Sequence, residues 1–110
     1  MRLPNGNRAL VEDDKLRGYV LNPTHPVGRH HAALFEKLLG IRQANREVLR
    51  EALLDAAENE AVAREVATPY GKKYEMQFPL SGPAGTKTVL AVWMIDHRSD
   101  RPRLITCYVE

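Results

Sequence analysis

The sequence has very few of the residues that would support disulfide, thiolate or membrane chemistry. A single cysteine, Cys107, is present among 110 residues. An internal disulfide is therefore excluded, and a metal site built on several thiolates is excluded with it. No apolar run approaches the roughly 18 residues of a membrane-spanning helix, and no charged segment followed by an apolar one opens the chain. We therefore expect a cytoplasmic protein with no signal peptide and no membrane partner.

The sequence also has little excess charge, no internal repeat and no low-complexity segment. Its 16 Lys and Arg residues oppose 14 Asp and Glu residues, which gives a net charge of +2. A dedicated nucleic-acid binder usually has a denser basic patch, so this charge permits a polyanionic partner without requiring one. With 44% hydrophobic and 27% charged residues, the composition predicts one globular domain, residues 1–110.

The N-terminal half has the apolar spacing of helices. Asp13 and Asp14 resemble an N-cap before a short helical turn over residues 15–20. Apolar residues at helical spacing predict a helix that begins at Arg29 and ends at Gly40, a residue well suited to the left-handed position after a helix. A further helix, with one apolar and one charged face, is predicted from about Asn45 to Asn59.

After this helix the apolar period changes from that of a helix to two, which indicates strands. We expect an edge strand over 62–68, a half-buried strand over 73–80, a central strand over 88–95 and a last strand over 103–109. Ser81 to Gly85 are expected to form the turn between the second and third strands.

In the last strand, strict alternation would place Ile105, Cys107 and Val109 on one face and Leu104, Thr106 and Tyr108 on the other. Helices followed by antiparallel strands indicate an α+β fold. We therefore predict N-terminal helices packed on one face of a roughly four-stranded antiparallel sheet, with Lys73, Glu75, Thr106 and Tyr108 on the opposite face.

Three of the four histidines lie between Tyr19 and Gly40. His25 stands in a proline-bounded loop, and His30 and His31 fall in the first turn of the predicted helix. His31 lies at the edge of the buried face, whereas His30 points about 100° away from it. Because a helix N-terminus presents free N–H groups, this turn is also a candidate phosphate contact.

Several segments carry a resemblance to a known family: LPNGNRALV, KLRGYVLNPTHPVGRHHAALFEKLLG, TPYGKKYEMQFPLSGPAG, VWMID and PRLITCYV. They resemble small bacterial domains that occur alone and as C-terminal toxin modules of contact-dependent inhibition and other polymorphic toxins. The block YxLNPxHPxG is the most specific part. The resemblance implies the barnase, EndoU, colicin and RelE-like fold, with metal-independent ribonuclease activity on tRNA or other RNA. It also implies a cognate antitoxin or immunity protein.

One departure from the family pattern affects the expected chemistry. Members of the family often carry lysine at the position of His31 and glycine at the position of Arg29. If lysine serves there, His31 would supply positive charge in place of proton transfer.

Metal-independent RNA cleavage needs a base for the 2′-hydroxyl, an acid for the departing 5′-oxygen, and donors or cations around the phosphorane. Histidine suits proton transfer because its unperturbed pKa lies near neutral pH. The candidates for catalysis are His31, His25, Lys73 and Thr106. The candidates for RNA or phosphate binding are His30, Arg103 and Tyr108.

Each candidate also has a purely structural interpretation. His25 would then hold its loop, His31 would bond a backbone carbonyl, Lys73 would join a cross-strand ion pair, and Arg103 would guard a strand edge. A zinc site is rejected because adjacent helical histidines point apart, and we expect no metal and no cofactor. The alternative function is a non-catalytic protein-interaction module related to such toxins.

Overall fold

The computed structural model describes residues 1–110, in which three helices precede four strands. Short 3₁₀ turns lie at Gly6–Arg8 and Gln43–Asn45. No helix combines the length and the hydropathy needed to cross a membrane. The helices are α1 (Asp13–Lys15, continuing as a π-helical turn over Leu16–Val20), α2 (Arg29–Leu34, continuing likewise over Phe35–Leu39) and α3 (Glu47–Asn59). The strands are β1 (Arg64–Thr68), β2 (Gly71–Gly82), β3 (Gly85–Asp96) and β4 (Arg103–Val109).

The four strands form one open antiparallel sheet in the order β1-β2-β3-β4. The predicted α+β architecture is therefore confirmed, with β1 at one edge. The β2–β3 ladder runs from Gly71↔Asp96 to Gly82↔Gly85. Only Pro83 and Ala84 remain for the connection, so the predicted turn over Ser81–Gly85 is wrong in length. The strands continue into the residues whose composition indicated a loop.

The helices bury their apolar side chains against one face of this sheet. Phe35 and Leu39 of α2, and Leu49 and Leu53 of α3, are fully buried, and Trp93 of β3 lies among them at 0% exposure. Burial of this kind is the main free-energy gain of folding, at roughly 1.5–3 kcal/mol for each large apolar side chain. The inward strand positions are Tyr74, Met76, Phe78 and Leu80 of β2, Val89, Ala91 and Trp93 of β3, and Leu104, Cys107 and Val109 of β4.

The expected alternation along β4 is wrong at its start. Val92 pairs with Thr106, but the next residue, Trp93, pairs with Leu104, so Ile105 is the extra residue of a β-bulge. A bulge shifts the alternation by one residue. Leu104 therefore faces the core together with Cys107 and Val109, and Ile105 is half-buried.

The start of α1 also differs from the prediction. The helix begins at Asp13 itself, and Glu12 precedes it without a side-chain cap. The carboxylate of Asp13 instead accepts a hydrogen bond from Arg46 Nε at 2.5 Å, just before α3. This hydrogen bond holds the pKa of Asp13 below its usual value. Asp13 thus joins α1 to α3 and is not available to the backbone as a cap.

The C-terminal end of α2 rests on the β2–β3 turn. Gly40 has φ 69°, the left-handed conformation predicted for the residue after this helix. The N–H of Ala84 donates to Leu39 O at 3.0 Å. A Cβ at Gly82 would lie 2.2 Å from the same oxygen, so only glycine fits there. This contact fixes the far end of α2 and, with it, the direction of its first turn.

Candidate functional site

The sheet face opposite the helices carries polar side chains in cross-strand rows. Lys73 and Arg103 both pair with Met94, so their Cα atoms lie two strand spacings apart, about 10 Å. The second row is Glu75, Val92 and Thr106, and the third is Gln77, Leu90 and Tyr108. The predicted placement of Lys73, Glu75, Thr106 and Tyr108 on one face agrees with this register.

The first turn of α2 reaches β4 through an aromatic contact. The rings of His31 and Tyr108 have centroids 4.8 Å apart and planes inclined at 31°. His31 is exposed and Tyr108 is half-buried. No protein group hydrogen-bonds to the imidazole of His31 or to the hydroxyl of Tyr108, so both can bind a ligand. Thr106 lies two residues before Tyr108 on the same face, with its own hydroxyl unpaired.

His25 is held within its loop. Its Nδ1 accepts hydrogen bonds from the N–H groups of Val27 and Gly28, both at 3.0 Å. The ring also meets Tyr19 edge-on, with centroids 4.8 Å apart. Because Nδ1 is an acceptor, the proton of the neutral ring resides on Nε2. The ring would have to release both N–H groups before taking up a proton at Nδ1, so the geometry favours a positioning role for His25.

We expect His25→Ala to loosen the loop that leads into α2. The substitution leaves the N–H of Gly28, which is largely shielded from water, without its acceptor, at a cost of roughly 1–2 kcal/mol. Urea unfolding should show this loss, and amide exchange at Gly28 should accelerate. His97→Ala is the matched control, because His97 is exposed and its side chain makes no hydrogen bond. Equal stability of the two variants would contradict the assigned role.

The two basic residues of the first row differ in their charge partners. Arg103 donates from Nε and Nη2 to the carboxylate of Asp96, at 3.0 and 3.4 Å. These hydrogen bonds raise the pKa of Arg103 and lower that of Asp96. Lys73 has no ion-pair partner, whereas its neighbour Lys72 pairs with Glu65 at 2.9 Å. Lys73 is thus the cation of this face whose charge is not offset by a partner.

An open pocket of about 340 Å³ lies between α1 and the start of β4. Tyr19 forms part of it, with Lys15 Nζ 5.4 Å from the centre of its ring. Tyr19 also packs on Gly28, where a Cβ would lie 3.1 Å from the ring. The pocket is lined by Glu12, Asp14, Lys15, Gly18, Tyr19 and Arg103.

Of the residues that line this pocket, the sequence analysis proposed only Arg103 as a candidate for ligand binding. Tyr19 is the first residue of the YxLNPxHPxG block, and its place in that block was the one signal in the sequence that pointed to this pocket. The other residues lie in a short, charged helical turn whose composition is that of an ordinary solvated surface.

The structure brings most of the predicted residues to one region. His31 contacts Tyr108 where α2 meets β4, Thr106 lies in the next row, and Lys73 and Arg103 share the row beyond it. His25 contacts the ring of Tyr19 edge-on. His30 is exposed on α2 and makes no side-chain contact with these residues.

The family described as a domain of unknown function, DUF6883, matches residues 2–110. The chain belongs to this family. No curated protein matches this DUF6883 domain. A solved structure matches the domain, namely a chain of the contact-dependent growth inhibition toxin–immunity protein complex from Klebsiella pneumoniae 342. The TM-score is 0.73 at 18% identity, over 91% of the DUF6883 domain and 98% of the other chain.

At this level of identity the similarity shows a common fold. The expected relationship in fold to proteins of contact-dependent inhibition systems is therefore confirmed for the DUF6883 domain. Ribonuclease activity and RNA binding stay predictions.

Proposed function

We propose that this DUF6883 domain is a toxin-like, metal-independent endoribonuclease that cleaves tRNA or other RNA by acid–base transesterification. The observation that carries the proposal is the contact between His31 and Tyr108, beside Thr106 on the open sheet face. The exposed imidazole of His31 has no hydrogen-bond partner, and neither has the hydroxyl of Tyr108 or that of Thr106, which lies one row along β4. Lys73, in the first row, supplies positive charge that no partner offsets, whereas Arg103 in the same row is paired with Asp96.

The proposed role of each residue follows from the helix or strand that carries its side chain. In-line displacement at phosphorus needs proton transfer on opposite sides of the phosphate. His31 approaches from α2, beyond β4, and is assigned to proton transfer. Thr106 is assigned as a donor to a phosphoryl oxygen. Lys73 lies on β2, two strands and two rows from Tyr108, and supplies positive charge around the phosphate.

The remaining residues bind or position in this scheme. Tyr108 orients the imidazole of His31, and Arg103 and His30 contact neighbouring phosphates. His25 holds the loop at the start of α2 through its two backbone bonds. No step requires a metal or a cofactor.

A protective partner belongs to the proposal. The structurally similar chain comes from a toxin–immunity protein complex, and the sequence resembles toxin modules. Charge complementarity then favours an antitoxin or immunity protein with an acidic surface that covers Lys73.

The test is incubation of the purified protein with total bacterial RNA in excess EDTA. We expect discrete fragments, together with arrest of growth when the protein is expressed without a protective partner. A mock purification from cells lacking the gene controls for contaminating nucleases. Intact RNA and normal growth would reject the enzyme and favour a non-catalytic protein-interaction module.

A further inference from the structure

We infer that His25 is a pH switch, which holds the start of α2 in place at neutral pH and releases it in mild acid. The N–H groups of Val27 and Gly28 both donate to His25 Nδ1, so the folded loop requires this nitrogen to be unprotonated. The switch does not require the domain to be an enzyme, and its effect on cleavage rests on the proposed function.

Protonation leaves the imidazole of His25 without any acceptor. Both nitrogens of an imidazolium carry a proton, so no rotation of the ring restores a bond to Val27 or Gly28. The N–H of Gly28 cannot turn to water instead, because Gly28 is buried against Tyr19, whose ring would lie 3.1 Å from a Cβ at this position. A buried donor without an acceptor carries its full desolvation cost. The loop therefore opens when His25 takes up its second proton.

No side chain offsets the positive charge of a protonated His25. The ring packs on α1 through its edge-on contact with Tyr19, and it makes no hydrogen bond or ion pair with a carboxylate. Lys15 Nζ, a cation, lies 5.4 Å from the centre of the Tyr19 ring. Protonation thus breaks two bonds and forms no ion pair in return. The titratable and charged groups around this contact are Glu12, Asp14, Lys15, Tyr19 and Arg103, together with Arg29 on the loop's own side.

The segment that the switch controls is short and adjoins the proposed site. On its upstream side, Asn22 Oδ1 accepts hydrogen bonds from the N–H and the hydroxyl of Thr24, at 3.0 and 2.9 Å, and these bonds involve no group that titrates near neutral pH. On its downstream side, Gly28 is the N-cap residue of α2. Opening is thus confined to residues 25–28 and the first turn of α2, which carries His31.

The pH range of the switch is separate from that of the ion pairs. Histidine ordinarily takes up its second proton between about pH 5 and 7, so the stability from the two bonds is present at neutral pH and is lost as pH falls through this range. Hydrogen bonds from arginine partners lower the pKa values of Asp13, Asp96 and Asp100, and their contributions are lost below about pH 4. A change between pH 7 and pH 5 therefore reports on histidine.

Amide hydrogen exchange followed by NMR measures the switch. In the unaltered protein we expect the Gly28 N–H to open roughly 10- to 100-fold more often at pH 5 than at pH 7, after correction for the intrinsic pH dependence of exchange, because two hydrogen bonds are lost. His25→Asn provides an amide oxygen as an acceptor that does not titrate, so Gly28 should stay protected at both pH values. His97→Asn makes the same change at an exposed histidine and should retain the pH dependence.

Equal protection of Gly28 at pH 7 and pH 5 in the unaltered protein would overturn the inference, and so would an unchanged pH dependence in His25→Asn. Because the unaltered protein gives the first result, the test does not depend on the folding of a variant. The amide of Leu53, on the buried face of α3, is the internal reference and should stay equally protected at both pH values.

Cleavage of RNA in EDTA adds a second readout. His25→Asn should keep a larger share of its pH 7 rate at pH 5 than the unaltered protein keeps. If Gly28 opens in acid as expected while RNA stays intact at pH 7, the proposed function fails and the pH switch stands.

Discussion

His31→Ala is expected to reduce RNA cleavage by roughly 10²- to 10⁴-fold, the usual contribution of a positioned proton-transfer group. The imidazole of His31 stacks on Tyr108 and has both nitrogens free, so its loss removes the group best placed to move a proton at this face. The rate of fragment formation in EDTA, at neutral pH and with a fixed RNA, measures the effect. Urea unfolding should show only a small change, because His31 is exposed.

The adjacent histidine provides the matched control. His30→Ala removes the same side chain from the same helical turn, on a side that makes no contact with Tyr108, and should lower cleavage only a few-fold. Similar losses in the two variants would argue against a specific role for His31. His31→Arg separates charge from proton transfer, because a guanidinium stays protonated. An arginine variant as active as the unaltered protein would assign His31 an electrostatic role.

Phe35→Ala should cost roughly 3–5 kcal/mol of folding free energy. Phe35 is fully buried where α2 packs against the sheet, and its truncation leaves a cavity that the fixed end of the helix prevents from closing. A domain of this size has a total stability of roughly 5–15 kcal/mol, so the loss is a large share of it. The midpoint of urea unfolding measures the change.

Leu34→Ala is the control for this substitution. Leu34 precedes Phe35 in the same helix but is 38% exposed, and we expect a cost of about 1 kcal/mol or less. A Phe35→Ala protein that unfolds at nearly the same urea concentration as Leu34→Ala would show that this part of the core can relax into the space.

Much of the fold could be predicted because apolar periodicity is a local signal. The spacing of Phe35 and Leu39 marks α2, and the alternation from Tyr74 to Leu80 marks β2, without information from elsewhere in the chain. The bulge at Ile105 could not be predicted this way. It depends on how β4 pairs with β3, and the pairing overrides strict alternation along the strand.

The candidate site was predictable in its residue types more than in its geometry. The chemistry of proton transfer and phosphate binding predicts His31, Thr106 and Arg103 as candidates from their residue types alone. The His25 ring accepts hydrogen bonds from the backbone of its own loop. This arrangement depends on the side-chain torsion angles of His25, which the spacing of residues in the sequence does not predict. The pocket could not be predicted from the sequence, because Glu12, Tyr19 and Arg103 line one pocket only once β4 lies beside α1.

The His31–Tyr108 contact has a consequence for the order of folding. Each strand pairs with its neighbour in the chain, so the sheet can assemble through hairpins that close short loops. The approach of α2 to β4 instead closes a loop that contains α3 and the other three strands. Contacts so distant in sequence form slowly. We therefore expect an intermediate with its hairpins formed and α2 undocked to be enzymatically silent, and activity on refolding to return after the β-sheet signal.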